Sequence, residues 1–97
     1  MTARVSFEWD PTKADANLAK HGVSFDEAVS VWQDYFYIDL FDDEHSNDEK
    51  RFLMIGESSS KRYLIISYTE RQNTIRIISA RELTPKERRE YEHGHYE

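Results

Sequence analysis

The chain has 97 residues, 38% of them hydrophobic and 13% aromatic, and a net charge of −6. That length holds one domain, residues 1–97 with a frayed tail from 93, and the aromatic content suffices to close a small core. The lack of cysteine excludes a disulfide framework and a thiolate metal site, and no run approaches the roughly 20 apolar residues of a membrane span. Met1-Thr2-Ala3-Arg4 has no apolar signal core, so the expected setting is the cytoplasm, with no membrane partner.

Val5-Ser6-Phe7-Glu8-Trp9 alternates apolar and polar residues and predicts a short strand. Asp10 as cap and Pro11 at the first helical position open a helix to about Lys20, and Gly22 ends it. Ser24 with Glu27 forms a capping-box pattern for a second helix, Phe25 to about Gln33, whose apolar stripe is Phe25, Ala28, Val29 and Trp32. Tyr35 to Phe41 reads as a strand, and Asp42 to Glu49 as an acidic loop. Three further strands follow, at 50–56, 62–69 and 74–81, joined by turns short enough to require antiparallel hairpins. Thr84-Pro85-Lys86-Glu87 starts a last helix to about Glu92. The order β-α-α-β-β-β-β-α predicts an α+β fold: an antiparallel meander with two N-terminal helices and one C-terminal helix packed on one face.

The mean charge hides an asymmetry. Residues 37–50 carry six acids and one base, whereas residues 61–89 carry eight bases and three acids. Arg76 and Arg81 lie in the best strand of the chain, and Arg51 lies in a neighbouring one. A guanidinium stays charged at any working pH and presents a planar fork of donors that matches phosphate oxygens, so this set points to a polyanion. A solvated or edge-protecting charge is the plainer reading of any single arginine. Arg76 and Arg81 are five positions apart, which sends them to opposite faces under strict alternation. Either a bulge near Ser79-Ala80 reconciles them or only one lies in a site.

His21, beside Lys20 at a helix end, is a candidate proton carrier or simply a capping cation. His45 reads as solvated in the acidic loop, and His93 and His95 as tail residues. Asp39, Asp42, Asp43 and Glu44 lack the spacing and the glycine of a hard-cation loop, so no metal or cofactor is expected. Tyr63, Tyr68 and Phe52 suit either base stacking or a core.

Phe7-Glu8-Trp9-Asp10-Pro11 with Lys13, Asn17, Lys20-His21-Gly22-Val23-Ser24-Phe25 and Ala28 resemble the N-terminal signature of the BrnT toxin family. Lys50-Arg51 leading to Gly56 is similar to its next strand, and Tyr68-Thr69, Arg76 to Arg81 and Glu87 to Tyr91 to its C-terminal half. The resemblance implies a RelE-like fold, the toxin role in a bacterial type II toxin–antitoxin pair, and RNA cleavage that slows translation. It implies as partner a BrnA antitoxin of ribbon-helix-helix type, through which alone the pair would contact operator DNA. The acidic stretch Asp42 to Glu49 departs from the family pattern and suits the docking of a basic antitoxin segment.

For such a reaction the RNA 2′-hydroxyl is the expected nucleophile, leaving a 2′,3′-cyclic phosphate without a metal. Arg51, Arg76 and Arg81 are the groups expected to stabilise the developing charge. His21 is the candidate general acid or base, Lys20 an accessory cation, and Tyr68 a proton-transfer or stacking group. The alternatives are a non-catalytic module that binds nucleic acid or protein, and a degenerate toxin retained as co-repressor.

Overall fold

A computed structural model describes residues 5–46 and 49–94 of the chain. Asp10 caps α1 (Pro11–His21) by accepting from the Thr12 N–H at 2.8 Å. Gly22 closes this helix at φ 69°, where a side chain would be strained, and its N–H donates to the Leu18 carbonyl at 2.8 Å. Ser24 caps α2 (Phe25–Ser30) through the Glu27 N–H, and a single 3₁₀ turn continues from Val31 to Gln33. The reciprocal half of that capping box is not made. Glu27 binds Arg62 and the Ser58 hydroxyl instead, and so ties α2 to a hairpin turn. A charge-assisted pair outcompetes a lone backbone donor. The full box forms at α3 (Pro85–Glu92), between Thr84 and Glu87.

Five strands form one sheet: β1 (Ser6–Glu8), β2 (Ile38–Asp42), β3 (Arg51–Glu57), β4 (Tyr63–Arg71) and β5 (Thr74–Glu82). Their spatial order is β1-β5-β4-β3-β2. The last four make the expected antiparallel meander, while β1 pairs parallel with β5, so the α+β fold has a mixed sheet. Tyr35 and Phe36 fall in a turn rather than in β2, because Asp34 accepts from the Phe36 N–H at 3.0 Å and from the Glu57 N–H at 2.7 Å. Beyond the short β1, the edge of β5 is met by a side chain in place of a strand. The Asn17 amide donates to the Ala80 carbonyl at 2.8 Å and accepts from the Ala80 N–H at 3.1 Å. It also donates to the Val23 carbonyl at 3.0 Å, which locks α1 alongside β5.

Val23, Phe25, Ala28 and Val31 pack on Met54, Leu64, Ile66 and Ile77 to form the core under α1 and α2. A row of rings crosses this face. Phe7 meets Trp32 at 5.2 Å, Trp32 meets Tyr68 at 5.1 Å, Tyr68 stacks on Phe52 at 5.6 Å, and Phe52 meets Phe41 at 5.7 Å. The expected single helical face holds for α1 and α2 only. α3 lies against the other face at one end, with Tyr91 5.5 Å from the Tyr63 ring and Arg88 4.3 Å above it. Of the tail 93–97 that the sequence marks as frayed, His93 caps α3 through its N–H to the Arg89 carbonyl, and residues 95–97 lie outside the described residues. Among the described residues no helix is long and apolar enough to cross a membrane.

Candidate functional site

Successive side chains of a strand point to opposite faces, so each strand-borne ring of the aromatic row has a neighbour on the other side of the sheet. Those neighbours are Glu8 beside Phe7, Thr69 beside Tyr68, Arg51 beside Phe52 and Asp42 beside Phe41. Strand register pairs Asp42 with Arg51, Arg51 with Thr69, Thr69 with Arg76, and Arg76 with Glu8. The result is a polar row across all five strands, with both arginines in its middle. Slipping β3 by one residue would bury Arg51 and expose Phe52, so the aromatic core helps hold this register. Two strand spacings separate the bases of Arg51 and Arg76, about 10 Å, which lets two long side chains converge on one phosphate-sized group.

Of the two alternatives that the arginine spacing left open, the bulge is present. Opposite Ser67 and Tyr68 the pairing jumps from Ser79 to Ile77, leaving Ile78 as the extra residue. Arg76, Ser79 and Arg81 therefore share the face that carries Arg51.

Arg51, Thr69 and Arg76 line a cavity of about 400 Å³ together with Lys13, Arg71 and His45. Thr69 is 2% exposed, and its hydroxyl has no hydrogen-bond partner. A buried orphan hydroxyl costs stability, and strand register sets Thr69 between Arg51 and Arg76. One anion already sits here. Glu49 is bound by Arg71, with a second bond at 3.0 Å, and this holds its carboxyl below the ordinary carboxylate range with smaller help from Arg76 and Arg51. Arg76 also reaches Glu8 at 3.7 Å.

His21 and Arg81 line a second cavity of about 400 Å³ on the same face, with Ser79, Asp42 and His45. His45 is common to both cavities. The fork of Arg81 is engaged by Glu87 at 2.7 and 2.9 Å, a bidentate pair that joins β5 to α3. That pairing, opposed by partial burial and helped by the Thr84 N–H, pulls the Glu87 carboxyl down to about 2. The four residues read as catalytic thus divide, Arg51 and Arg76 in one hollow and His21 and Arg81 in the next.

Lys20 is exposed on α1 and lines neither cavity. Tyr68 lies in the core on the helical face, where burial raises its phenol above the ordinary value, so it is not placed to touch a ligand in either hollow. Sequence reasoning gave no site role to Lys13, Thr69 or Arg71 and read His45 as solvated. Thr69 was recoverable from hairpin register with Arg51 and Arg76, and Lys13 from its position one helical turn before Asn17. Among the described residues no group of three His, Cys, Asp or Glu side chains is placed to hold a metal ion.

Over residues 9–87 the chain matches the family described as "Ribonuclease toxin, BrnT, of type II toxin-antitoxin system". Its fold is similar to the crystal structure of the Brucella abortus ribonuclease toxin BrnT, with a TM-score of 0.65, 19% identity, and coverage of 84% of this chain and 99% of that one. No curated protein matches it in sequence.

Proposed function

Because the chain belongs to the BrnT family of ribonuclease toxins, the toxin side of type II toxin–antitoxin pairs, we propose that it is an endoribonuclease that slows translation in the cytoplasm until its antitoxin binds. A type II toxin has a protein antitoxin as its partner, and on this reading that protein is of the BrnA ribbon-helix-helix kind. Operator DNA is reached only through it.

The observation that carries the reading is the row Arg51, Thr69, Arg76 on an open sheet face. A phosphodiester carries one negative charge, and the charge on its non-bridging oxygens grows as the 2′-oxygen attacks. Two guanidiniums supply charge-assisted donors from opposite sides, and the orphaned Thr69 hydroxyl supplies another between them. Lys13 and Arg71 extend the positive field along the backbone of a longer RNA. This route needs no metal, since the side chains themselves neutralise the charge. The P–O5′ bond breaks, and a 2′,3′-cyclic phosphate and a 5′-hydroxyl result. His21, in the adjoining hollow with Arg81, is one of the two proton carriers the reaction requires.

Induction of alanine variants in growing cells tests the assignment. Arg51→Ala and Arg76→Ala should relieve growth arrest, each by losing about 10²- to 10³-fold in cleavage, the loss typical of one transition-state donor. His21→Ala and Arg81→Ala should relieve it as well, the latter less because Glu87 already engages that side chain. Full toxicity of all four variants would place the chemistry elsewhere.

A further inference from the structure

Cleavage of RNA by its own 2′-hydroxyl moves two protons, one off the 2′-oxygen and one onto the departing 5′-oxygen. In an in-line displacement these two oxygens lie on opposite sides of phosphorus, so His21 reaches only one of them. We propose that Asp42 and His45 form the second proton-transfer unit, with His45 Nε2 as the general base for the 2′-hydroxyl and Asp42 as its positioning residue. This rests on the ribonuclease reading above.

Both carboxylate oxygens of Asp42 lie within reach of His45 Nδ1, at 2.9 and 3.1 Å. An ionised carboxylate only accepts, so Nδ1 carries the hydrogen and Nε2 is left with its lone pair. A carboxylate that fixes the tautomer and ring direction of a histidine is the arrangement that makes it an effective base. Asp42 is itself held, being the last residue of β2 and paired in register with Arg51. His45 sits in the 3₁₀ turn Asp43–His45, which the Ser46 hydroxyl secures by donating to the Asp42 carbonyl at 2.5 Å.

His45 lines both cavities, so it stands beside the phosphate grip of Arg51 and Arg76 and also shares a hollow with His21. In-line displacement needs a base and an acid on different sides of the phosphorus atom, and the two histidines come from separate elements, one on α1 and one after β2. The balance closes. His45 takes the 2′-hydroxyl proton as the O2′–P bond forms, the P–O5′ bond breaks, and His21 as imidazolium gives its proton to O5′. Water restores both rings, since neither is sealed from solvent.

The test compares cleavage of one RNA oligonucleotide, with and without sulfur in place of the bridging 5′-oxygen at the cut site, by wild type, His45→Ala, His21→Ala and Asp42→Asn. A thiolate leaves without being protonated, so the sulfur substrate should restore most of the rate of His21→Ala and none of the rate of His45→Ala. On normal RNA, His45→Ala should lose about 10²- to 10⁴-fold. Asp42→Asn should lose less, and combining it with His45→Ala should add nothing further, as for residues acting as one unit. Wild-type rates for His45→Ala, or recovery of that variant by sulfur, would overturn the assignment while leaving the ribonuclease reading intact. If the wild-type protein cuts neither substrate, both fall together.

Discussion

Replacing Asn17 by alanine should unfold this protein more readily than any exposed substitution near the site. Its amide makes three buried hydrogen bonds, two with the backbone of Ala80 and one with the carbonyl of Val23. Asn17 is 7% exposed, Ala80 1% and Val23 0%, so water reaches none of the three groups easily. Each orphaned backbone group costs about 1–3 kcal/mol, and partial recovery by an entering water leaves a total of about 3–5 kcal/mol. That is a large share of the roughly 5–15 kcal/mol that holds a domain of this size together, and corresponds to a drop of about 15–30 °C in midpoint. Urea denaturation followed by far-ultraviolet circular dichroism measures it, with an unchanged m-value showing that the unfolding unit is the same. Asn17→Asp should be worse, since it keeps one acceptor but turns both donations to carbonyls into repulsions. The effect reaches the site because α1 carries Lys13 to one cavity and His21 to the other. An Asn17→Ala protein within 0.5 kcal/mol of wild type, a small fraction of that estimate, would refute the claim that this amide substitutes for a missing strand.

Thr69→Val keeps the shape and removes the orphaned hydroxyl, so it should stabilise the fold by about 0.5–1 kcal/mol while lowering RNA cleavage several-fold; equal cleavage would remove the hydroxyl from the site. Glu87 titrates at about 2 in the fold and near 4.5 when unpaired, so its contribution is complete above pH 4.5 and fades as pH falls toward 2. The unscreened figure is about 3 kcal/mol, and with the Arg81 side chain 41% exposed we expect about 1 kcal/mol. The stability gap between wild type and Glu87→Gln should therefore be present at pH 6 and vanish across that window, and a gap indifferent to pH would show that the pair does not form.

What was legible in the sequence is what local chemistry decides alone. Asp10-Pro11, Gly22, Ser24 and Thr84-Pro85 each act within a few residues, and the helices start or stop where they stand. The hairpins followed from short turns, and the element order from the switch in apolar period. The parallel pairing of β1 with β5 was not legible, since Ser6 and Thr74 are brought together by a contact that no local signal announces. The Arg76 and Arg81 problem was legible as a question only: parity left a bulge or a divided pair, and the bulge at Ile78 depends on the partner strand. Tyr68 shows the converse, for its stacking potential is spent on Phe52 and Trp32 inside the core. His45 looked solvated because its use depends on Asp42 turning back upon it, three residues away in a non-repeating conformation.

The measurement that bears most directly on the account is cleavage of an RNA carrying a single 2′-deoxy residue at its preferred cut site, with the product ends identified. Wild-type protein should cut the all-ribose strand in the presence of EDTA, leave a 2′,3′-cyclic phosphate, and spare the deoxy position, while Arg76→Ala spares both. Cutting at the deoxy position, or unchanged cutting by Arg76→Ala, would contradict the view that Arg51, Thr69 and Arg76 hold a phosphate under attack from its own sugar.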